Sequence, residues 1–438
     1  MSGRLIMSAR AALSSLEGFS PPPRRVGRLA AHGGLMLEAE GFPYPIGTTV
    51  RVGSINGEVV GFRGDRSLIL PFSNDAALSV GNRVEADGHG GLAQCGPALL
   101  GRVIDAHGAP LDGNGPIRSR ITWPLTGERS NPLRRSRVVA PLDIGVRSIN
   151  ALLTVGIGQR VAIIAGSGVG KSVLMGQMIG GVDADVIVVG LIGERSREVS
   201  DFVETKITPD LRHKTVVVAV PADHPPLLRL RAAMRATAIA EQYRSEGKRV
   251  FLLIDSLTRV AHAQREIGLA LGEPPTMKGY PPSALGMIPR LVERAGADGV
   301  TGGSITAVYT VLADGGDTED PVVDSARAIV DGHIILSRTM AEQGVYPAID
   351  LSRSLSRTMV DVVPSEVQAA ANRFRQLWST YDDNRDLLLM GAYAPGNDAV
   401  LDEAIVRRDD MLSLIRQSAK ERVGIDASHD QLVKGFGV

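Results

Sequence analysis

A glycine-rich stretch ending in a lysine and a hydroxyl residue is the first place where this sequence suggests chemistry. The stretch consists of Gly166, Ser167, Gly168, Val169, Gly170, Lys171, Ser172 and Val173. The apolar run at 161–165 predicts a buried strand, and the residues that follow, to 178, favour a helix. Glycines let backbone N–H groups turn toward an anion at the start of a helix. The stretch therefore predicts a phosphate cradle, with Lys171 on the β- and γ-phosphates of a nucleotide and Ser172 on Mg²⁺.

The stretch departs from the usual phosphate-loop pattern at its first position. Ala165 stands where that pattern begins with glycine, and Gly166 can still make the turn. A glycine-rich turn without function could imitate part of the pattern. The lysine and serine at a strand-to-helix junction argue against that alternative.

Two carboxylates follow apolar runs elsewhere in the chain. Asp255 ends the run at 250–255, where it could hold the Mg²⁺ shell through water or simply cap a helix. Glu194 follows the run at 186–192 and a glycine. It could polarise a water for attack on the γ-phosphate, or form a surface salt bridge to Arg195 or Arg197. The residues alone leave both pairs of alternatives open.

The elements that must position these side chains alternate between strand and helix. We predict strands at 161–165, 186–192, 215–220, 250–255, 304–312 and 333–336. A long helix is predicted at 226–246, and the near-continuous Val, Ile and Leu of the strands indicate that both sheet faces are covered. This pattern is typical of a doubly wound α/β domain with its ligand at the carboxyl ends of the strands.

The regions before and after this domain have different patterns of apolar residues. Short apolar runs about ten residues apart between 26 and 96 predict a small antiparallel barrel or sandwich. A junction rich in turn-forming residues follows at 100–116. Helices are predicted at 366–389, 399–407 and 409–421, and a long irregular loop at the Gly/Pro-rich residues 267–285. The apolar stripe at residues 4–18 predicts a short amphipathic helix ahead of three prolines. This segment would bind a partner, stay disordered or contact anionic lipid.

The amino-acid composition limits the possible partners and the cellular compartment. Lys and Arg together number 48, as do Asp and Glu, and aromatic residues are only 4% of the 438, so nucleic acid is not expected as a partner. Cys95 is the single cysteine, which excludes an internal disulfide or a cysteine-based zinc site and fits a reducing compartment. We find no signal peptide and no apolar run of membrane-spanning length, and expect a cytoplasmic protein.

With these motifs in place, the chain resembles the hexameric rotary-type ATPases, related to the F-type ATPase β subunit, and most of all the flagellar type III export ATPases. The resemblance rests on Gly166-Ser-Gly-Val-Gly-Lys-Ser172, Gly193-Glu-Arg195, Leu253-Ile-Asp-Ser-Leu-Thr-Arg259, Gly272-Glu-Pro-Pro-Thr-Met-Lys-Gly-Tyr-Pro-Pro-Ser283, Tyr346-Pro-Ala-Ile-Asp350 and Ser354-Leu-Ser-Arg357. It implies a partner-binding tail at 1–20, a β-barrel domain at 25–98, a RecA-like ATPase domain at 99–362 whose connecting segment is 99–140, and a C-terminal helical domain at 363–438.

The resemblance also implies roles for individual residues. Glu194 would be the catalytic base, and Arg195 and Arg259 would lie on the γ-phosphate side. Tyr346 would pack on the adenine of ATP, its alternative being a buried core tyrosine. Arg357 would be an arginine finger acting on a neighbouring subunit, its alternative being a surface arginine paired with an acid such as Asp350. ATP is the expected substrate and Mg²⁺ the expected cofactor.

The implied assembly is a homohexamer that works at the inner face of the cytoplasmic membrane, with peripheral membrane association. A stator-like regulatory protein would bind the N-terminal tail, and a stalk protein would occupy the central pore near residues 267–285. The export gate and complexes of export substrates with chaperones would be further partners. Hydrolysis would release chaperones, unfold substrates or assist their entry.

Four other functions compete with this one. An injectisome secretion ATPase shares the same motifs. An ATP synthase catalytic subunit has the same fold, but Ala165 and the Glu273-Pro-Pro stretch argue against it. An RNA translocase resembling the terminator Rho would need an aromatic, basic N-terminal domain. A regulator without hydrolysis would not need both Lys171 and Glu194.

Overall fold

The computed structural model describes residues 25–73, 77–87, 90–128, 131–313 and 320–437. The tail predicted at 1–20, including its amphipathic helix, lies outside these residues. The chain divides into two compact units, with the division between Gly90 and Gly91. The domain boundaries predicted at residues 98 and 362 stay predictions.

The first unit is a closed antiparallel barrel, which confirms the small β domain predicted from the sequence. Its strands are β1 (Val26–Gly33), β2 (Met36–Glu40), β3 (Thr49–Val52), β4 (Ile55–Arg63), β5 (Arg66–Pro71) and β6 (Arg83–Ala86). They pair in the order β1-β2-β5-β4-β3-β6, and β6 closes back on β1. Alternate side chains point inward and form a core that includes Leu37, Val50, Val59 and Ile69, each fully buried.

The second unit is built on a large, mostly parallel sheet. Its strands are β7 (Leu92–Gln94), β8 (Val103–Ile104), β9 (Thr122–Pro124), β10 (Pro141–Leu142), β11 (Val155–Gly156), β12 (Arg160–Ala165), β13 (Val186–Ile192), β14 (Thr215–Val220), β15 (Arg249–Asp255), β16 (Gly296–Ala297), β17 (Ser304–Leu312), β18 (Gly332–Leu336) and β19 (Ile349–Ser356). The large sheet runs in the order β19-β18-β12-β17-β15-β13-β14-β8, and β16 pairs with β17. Among the described strands of this sheet, only β16 and β19 run antiparallel to their neighbours. Outside it, β7 with β9 and β10 with β11 form two separate antiparallel pairs.

Helices surround this sheet and continue beyond it. They are α1 (Arg147–Leu152), α2 (Lys171–Gly181), α3 (Ser196–Lys206), α4 (Pro209–Arg212), α5 (Pro226–Ser245), α6 (Leu257–Ala270), α7 (Pro282–Val292), α8 (Pro321–Ile329), α9 (Arg338–Glu342), α10 (Met359–Val362), α11 (Ser365–Asp383), α12 (Arg385–Leu389), α13 (Ala399–Val406), α14 (Arg408–Ile415) and α15 (Ile425–Phe436). Every residue of β13, β14 and β18 is buried, as expected for strands covered on both faces. No helix of the described chain combines the length and apolar character needed to cross a bilayer.

In three places the structure differs from the local predictions. The turn-rich junction contains β8, which pairs with β14 and is anchored by a buried ion pair of Arg102 with Asp112 at 2.8 Å. The Gly/Pro-rich stretch is irregular only at 271–281, because α6 runs to Ala270 and α7 starts at Pro282. Gly268 lies inside α6 at a position where a side chain would collide with Pro281, and this close contact explains a glycine within the helix.

The third difference concerns the C-terminal region, where the helix predicted at 409–421 ends at Ile415 and α15 was not predicted. The chain leaves the helix because its next residues bond elsewhere. The Gln417 N–H donates to the carbonyl of Tyr346, and the Val423 N–H donates to that of Gly145. These partners lie far away in sequence, so no local sequence pattern predicts them.

Helix α2 packs on the rest of the unit through a contact between two backbones. A Cβ built on Gly181 would lie 2.5 Å from Cα of Gly145 and 2.7 Å from the carbonyl oxygen of Ile144. Gly145 has a φ of 73°, which L side chains rarely adopt. Both glycines are therefore required, and the helix that carries Lys171 is fixed at its far end.

We predict that Gly181→Ala lowers the free energy of unfolding by about 1–3 kcal/mol, because the added methyl group overlaps backbone atoms that cannot rotate away. Urea-induced unfolding measures the change. Gly286→Ala is the matched control: Gly286 lies inside α7 with nothing within 4 Å of an added Cβ. There we expect a gain of up to about 1 kcal/mol from helix propensity. A Gly181→Ala variant as stable as the parent would contradict the backbone contact.

Candidate nucleotide-binding and catalytic site

The predicted phosphate cradle is the loop between β12 and α2. Gly168 and Gly170 have φ values of 78° and 89°, so the loop conformation requires glycine at both positions. Gly170 immediately precedes α2, and Lys171 and Ser172 form the first turn of that helix. Ser172 and Val173 are exposed, whereas Val169 is buried beneath the loop. N–H groups at the start of a helix have no partner within the helix, and together with a glycine loop such as this one they favour an anion.

The sheet brings the two predicted carboxylates to the lysine of this loop. Strand β15 is separated from β12 by β17 alone, and β13 is the next strand beyond β15. Lys171 Nζ lies 2.5 Å from Oδ1 of Asp255 and 3.5 Å from Oε1 of Glu194. The three side chains are between 4% and 14% exposed, so their charges interact with little screening by water. The alternative in which Asp255 caps a helix is wrong, because Ser256 caps α6.

A threonine that the sequence analysis missed completes this cluster. Thr310 lies on β17, between β12, which leads into the loop of Lys171, and β15, which ends at Asp255. Its hydroxyl donates to Oδ1 of Asp255 at 2.5 Å. Thr310 is fully buried. The only hint in the sequence is a hydroxyl residue in an otherwise apolar run, and that does not say which partner it meets.

Glu194 occupies a site that disfavours its ionised form. Gly193 holds the turn before it with a φ of 72°. Burial, reinforced by the nearby carboxylate of Asp255, raises the pKa of Glu194 above its ordinary value of 4.5, while Lys171 opposes the shift. Oε1 of Glu194 is buried and accepts no hydrogen bond within the described residues. The surface salt bridge to Arg195 is not formed, since Arg195 pairs with Glu198.

The oxygen ligands at this edge suit a small, hard cation. Asp255 supplies a carboxylate and Ser172 a hydroxyl, and Mg²⁺ is commonly held by one or two carboxylates together with substrate phosphates and water. The described residues contain no cluster of three or more His, Cys, Asp or Glu side chains that would hold a metal unaided. Oε1 of Glu194, which accepts no hydrogen bond within the described residues, and the two glycines of the loop fit a site completed by a bound triphosphate.

Tyr346 lies against the phosphate loop. A Cβ built on Gly170 would be 3.2 Å from Cε1 of the tyrosine ring. The side chain is not buried in the core, because the residue is 41% exposed and its hydroxyl donates to the carbonyl of Ala341. An exposed ring next to the loop can stack on a flat apolar group such as a nucleotide base.

The three predicted arginines occupy different places. Arg259 packs on Gly193, since a Cβ there would lie 2.8 Å from that of the arginine, and its buried Nε has no partner within the described chain. Arg195 is 85% exposed beside Glu194. Arg357 follows β19 at the opposite edge of the sheet: Ser356 pairs with Gly332, and Gly332 with Val161. No ion pair between Arg357 and Asp350 occurs among the described side chains.

Comparison with known families agrees with this geometry. Residues 145–356 match the nucleotide-binding domain of the ATP synthase alpha/beta family. Residues 363–434 match the C-terminal domain described as T3SS EscN ATPase. The first match contains the phosphate loop, both carboxylates, Tyr346 and the end of β19. The second contains helices α11 to α14 and all but the last two residues of α15.

Whole-chain relatives carry the same assignment. The chain is 50% identical to the flagellum-specific ATP synthase of Salmonella typhimurium, over 94% of each chain. It is 44% identical to the type 3 secretion system ATPase of Xanthomonas euvesicatoria, over 90% of each. Among solved structures it is similar to the assembled ATPase EscN of enteropathogenic E. coli, with a TM-score of 0.90 and 40% identity. That match covers 94% of this chain and all of the EscN chain. EscN in complex with its central stalk EscO matches with a TM-score of 0.87.

We predict that Thr310→Val raises the Mg²⁺ concentration needed for half-maximal nucleotide binding or turnover by about tenfold. A partner that orients a metal-binding carboxylate typically contributes this much, and valine keeps the shape of threonine while removing the donor. A Mg²⁺ titration at fixed nucleotide concentration measures the effect. Thr306→Val is the control, because Thr306 is buried on the same strand and accepts instead from the Gly158 N–H. An unchanged Mg²⁺ requirement in Thr310→Val would contradict the orienting role.

Proposed function

The chain belongs to the family of flagellum-specific and type III secretion ATPases, and we propose that it hydrolyses MgATP as a homohexamer that serves protein export through the flagellar type III apparatus. ATP hydrolysis for type III secretion is the activity of this family. The observation that supports our assignment of the active site is the ammonium of Lys171 between Asp255 and Glu194, beside a glycine loop at the start of a helix.

Binding is the task of the loop and of Tyr346. Backbone N–H groups from Gly166 to Ser172 hold the phosphates, and Lys171 turns from its carboxylate partners toward the β- and γ-phosphates. The exposed ring of Tyr346 stacks on the adenine. Ser172 and Asp255 would hold Mg²⁺. The ion neutralises charge on the phosphate oxygens when it is bound.

Hydrolysis depends on Glu194. The carboxylate accepts a proton from a water molecule as that water attacks the γ-phosphate. A raised pKa makes Glu194 a better proton acceptor near neutral pH, and burial keeps it from being solvated by bulk water. Arg259, packed at the turn before Glu194, and Arg195, next to it in the chain, stabilise charge on the γ-phosphate side.

Arg357 acts on a neighbouring subunit. The preceding residue, Ser356, is level with Val161, five residues before the loop begins at Gly166, and Arg357 lies one residue further from the loop. Five residues correspond to about 16 Å along the strands. An arginine side chain spans less than half of this distance, so the position is unsuited to catalysis within one chain and suited to catalysis between chains. The likeness to assembled EscN supports a ring in which each active site receives an arginine from the next subunit.

We assign the remaining partners by position. The irregular residues 271–281 face the central pore, where a stalk protein resembling EscO in its complex with EscN would pass. The tail at 1–20 binds a stator-like regulatory protein. The export gate and complexes of substrates with chaperones meet the assembled ring, which works in the cytoplasm in peripheral contact with the membrane.

An injectisome ATPase is the second candidate, because the Xanthomonas relative is nearly as similar as the flagellar ones. The higher identity to the Salmonella flagellar ATPase favours the flagellar assignment. An ATP synthase catalytic subunit is disfavoured, since residues 363–434 match the C-terminal domain of a secretion ATPase. Restoration of motility in a flagellar ATPase deletion strain, and not of secretion in an injectisome one, tests this choice.

We predict that Glu194→Gln binds ATP normally and turns it over about 10²–10⁴ times more slowly, because glutamine keeps the shape but cannot accept the proton. Equilibrium nucleotide binding and phosphate release measured on the same sample separate the two effects. Lys171→Ala is the comparison variant, in which binding also weakens because the point charge on the phosphates is gone. Parallel loss of binding and turnover in Glu194→Gln would make Glu194 structural.

The pH dependence of turnover gives an independent check on Glu194. A base with a raised pKa loses activity as the pH falls through that raised value, so the acid limb should lie above pH 4.5, the ordinary value for glutamate. The measurement is kcat against pH at saturating MgATP, over a range in which circular dichroism shows the fold intact. The residual activity of Glu194→Gln should lack this limb. An acid limb at or below the ordinary value would contradict the raised pKa.

We predict that specific ATPase activity rises with protein concentration and levels off once rings form, because a monomer lacks its neighbour's arginine. Arg357→Ala should bind ATP and assemble, and hydrolyse about 10³–10⁵ times more slowly even at high concentration. Arg357→Lys should restore little, since an ammonium lacks the planar fork. Light scattering and turnover on the same dilution series provide the measurement. Constant specific activity from monomer to ring would rule out catalysis between chains.

A further inference from the structure

The segment 416–423, between α14 and α15, contains a polar side chain that is unusually well buried. Gln417 is only 5% exposed, although both of its neighbours, Arg416 and Ser418, are exposed. A buried amide is costly unless its hydrogen bonds are satisfied. Its partners therefore indicate what the segment is built to hold.

Every polar atom of the Gln417 amide is used. Its Oε1 accepts from the backbone N–H of Arg147 at 2.7 Å. Its Nε2 donates to the carbonyl of Gly145 at 2.8 Å and to that of Glu421 at 2.9 Å. A fully satisfied buried amide has one favourable orientation, so the backbone that carries it is fixed as well.

That backbone is bonded directly to the nucleotide site. The N–H of Gln417 donates to the carbonyl of Tyr346 at 2.9 Å. One residue later, the carbonyl of Ser418 accepts from Nε2 of Gln177 at 3.0 Å. Gln177 belongs to α2, the helix that begins with Lys171. Segment 416–423 thus contacts both the predicted base platform and the phosphate helix.

Arg147 holds the segment from its other side. Its Nη1 donates to the carbonyl of Ser413 at 2.9 Å and to that of Arg416 at 3.2 Å. Its Nη2 lies 2.5 Å from Oε1 of Glu421. The arginine side chain is 12% exposed, so these charge-assisted bonds are partly shielded from water.

We propose that Gln417 is a positioning residue for the nucleotide base: by binding Tyr346 through its backbone while its side chain is locked on Gly145 and Arg147, it sets the ring of Tyr346 over the phosphate loop. This proposal rests on the proposed function, because that is where Tyr346 becomes the base platform. Gln417 touches no reacting atom. Its effect is on the affinity for the base and not on the affinity for phosphate.

A nucleotide and its base-free counterpart separate these two effects. MgADP engages both Tyr346 and the phosphate loop, whereas Mg-pyrophosphate engages only the loop. We expect Gln417→Met, which keeps the length of the side chain but none of its hydrogen bonds, to weaken MgADP binding by about tenfold, the equivalent of one lost hydrogen bond. Mg-pyrophosphate binding, and kcat at saturating MgATP, should change by less than about twofold. Isothermal titration of the full chain and steady-state kinetics supply these values.

Three further variants complete the test. The side chain of Arg416 is exposed and forms no hydrogen bond or ion pair with the described residues. Arg416→Ala should therefore bind both ligands like the parent. Arg147→Lys keeps the charge, leaves the amide of Gln417 intact and removes bonds to the segment, so a smaller loss confined to MgADP is expected. If Gln417→Met does not fold, Arg147→Lys is the variant that tests the proposal. Tyr346→Ala should show the MgADP-specific loss by itself.

Each result decides between the alternatives. Equal weakening of MgADP and Mg-pyrophosphate in Gln417→Met and Arg147→Lys would make Gln417 a structural residue and overturn the proposal. Unchanged binding of both ligands would overturn it too. A Tyr346→Ala variant that binds MgADP like the parent would remove the base platform itself, and so would overturn this proposal while leaving the phosphate site and its catalysis in place.

Discussion

The active site depends on one ammonium group placed between two carboxylates. Lys171 neutralises only one of the two negative charges of Asp255 and Glu194, so the cluster keeps an excess negative charge in a place with little water. Removing charges from water is expensive unless they are paired and hydrogen-bonded. Asp255 has the shorter contact with Lys171 and a bond from Thr310, whereas Glu194 has the longer contact. The environment therefore makes two chemically similar side chains unequal, one well paired and one with a raised pKa.

Much of this arrangement can be predicted from local patterns. The glycine loop, the strands that precede Lys171, Glu194 and Asp255, and the barrel are all encoded by short runs of apolar residues and the turns between them. All six predicted strands of the sheet agree with the structure to within one residue at each end, because a buried parallel strand is a continuous apolar run. Parallel strands also place their carboxyl ends at one edge, which is why the loop and the two acids could be expected to meet.

The features that were missed depend on contacts between distant residues. In the sequence, Thr310 is one hydroxyl residue in an apolar strand. Its role is visible only in the sheet order, which places its strand between β12, the strand before Lys171, and β15, the strand that ends at Asp255. Strand β8 is two residues long and exists because β14 offers it an edge. The early end of α14 reflects bonds from segment 416–423 to residues more than 70 and 270 positions away, Tyr346 and Gly145. In each case the local sequence is compatible with several conformations, and tertiary partners select one of them.

The edges of the β structure have a consequence for how copies of this chain can be packed together. The barrel closes on itself through β1 and β6, so that none of its described strands is left unpaired at an edge. The large sheet ends on one side in the two-residue β8 and on the other in β19, whose register is interrupted by an irregularity opposite His333. Long, regular edge strands are the usual templates for runaway pairing between chains, and short or bulged edges suppress it. Copies of this chain can therefore be crowded together with little risk that their sheets join into insoluble aggregates.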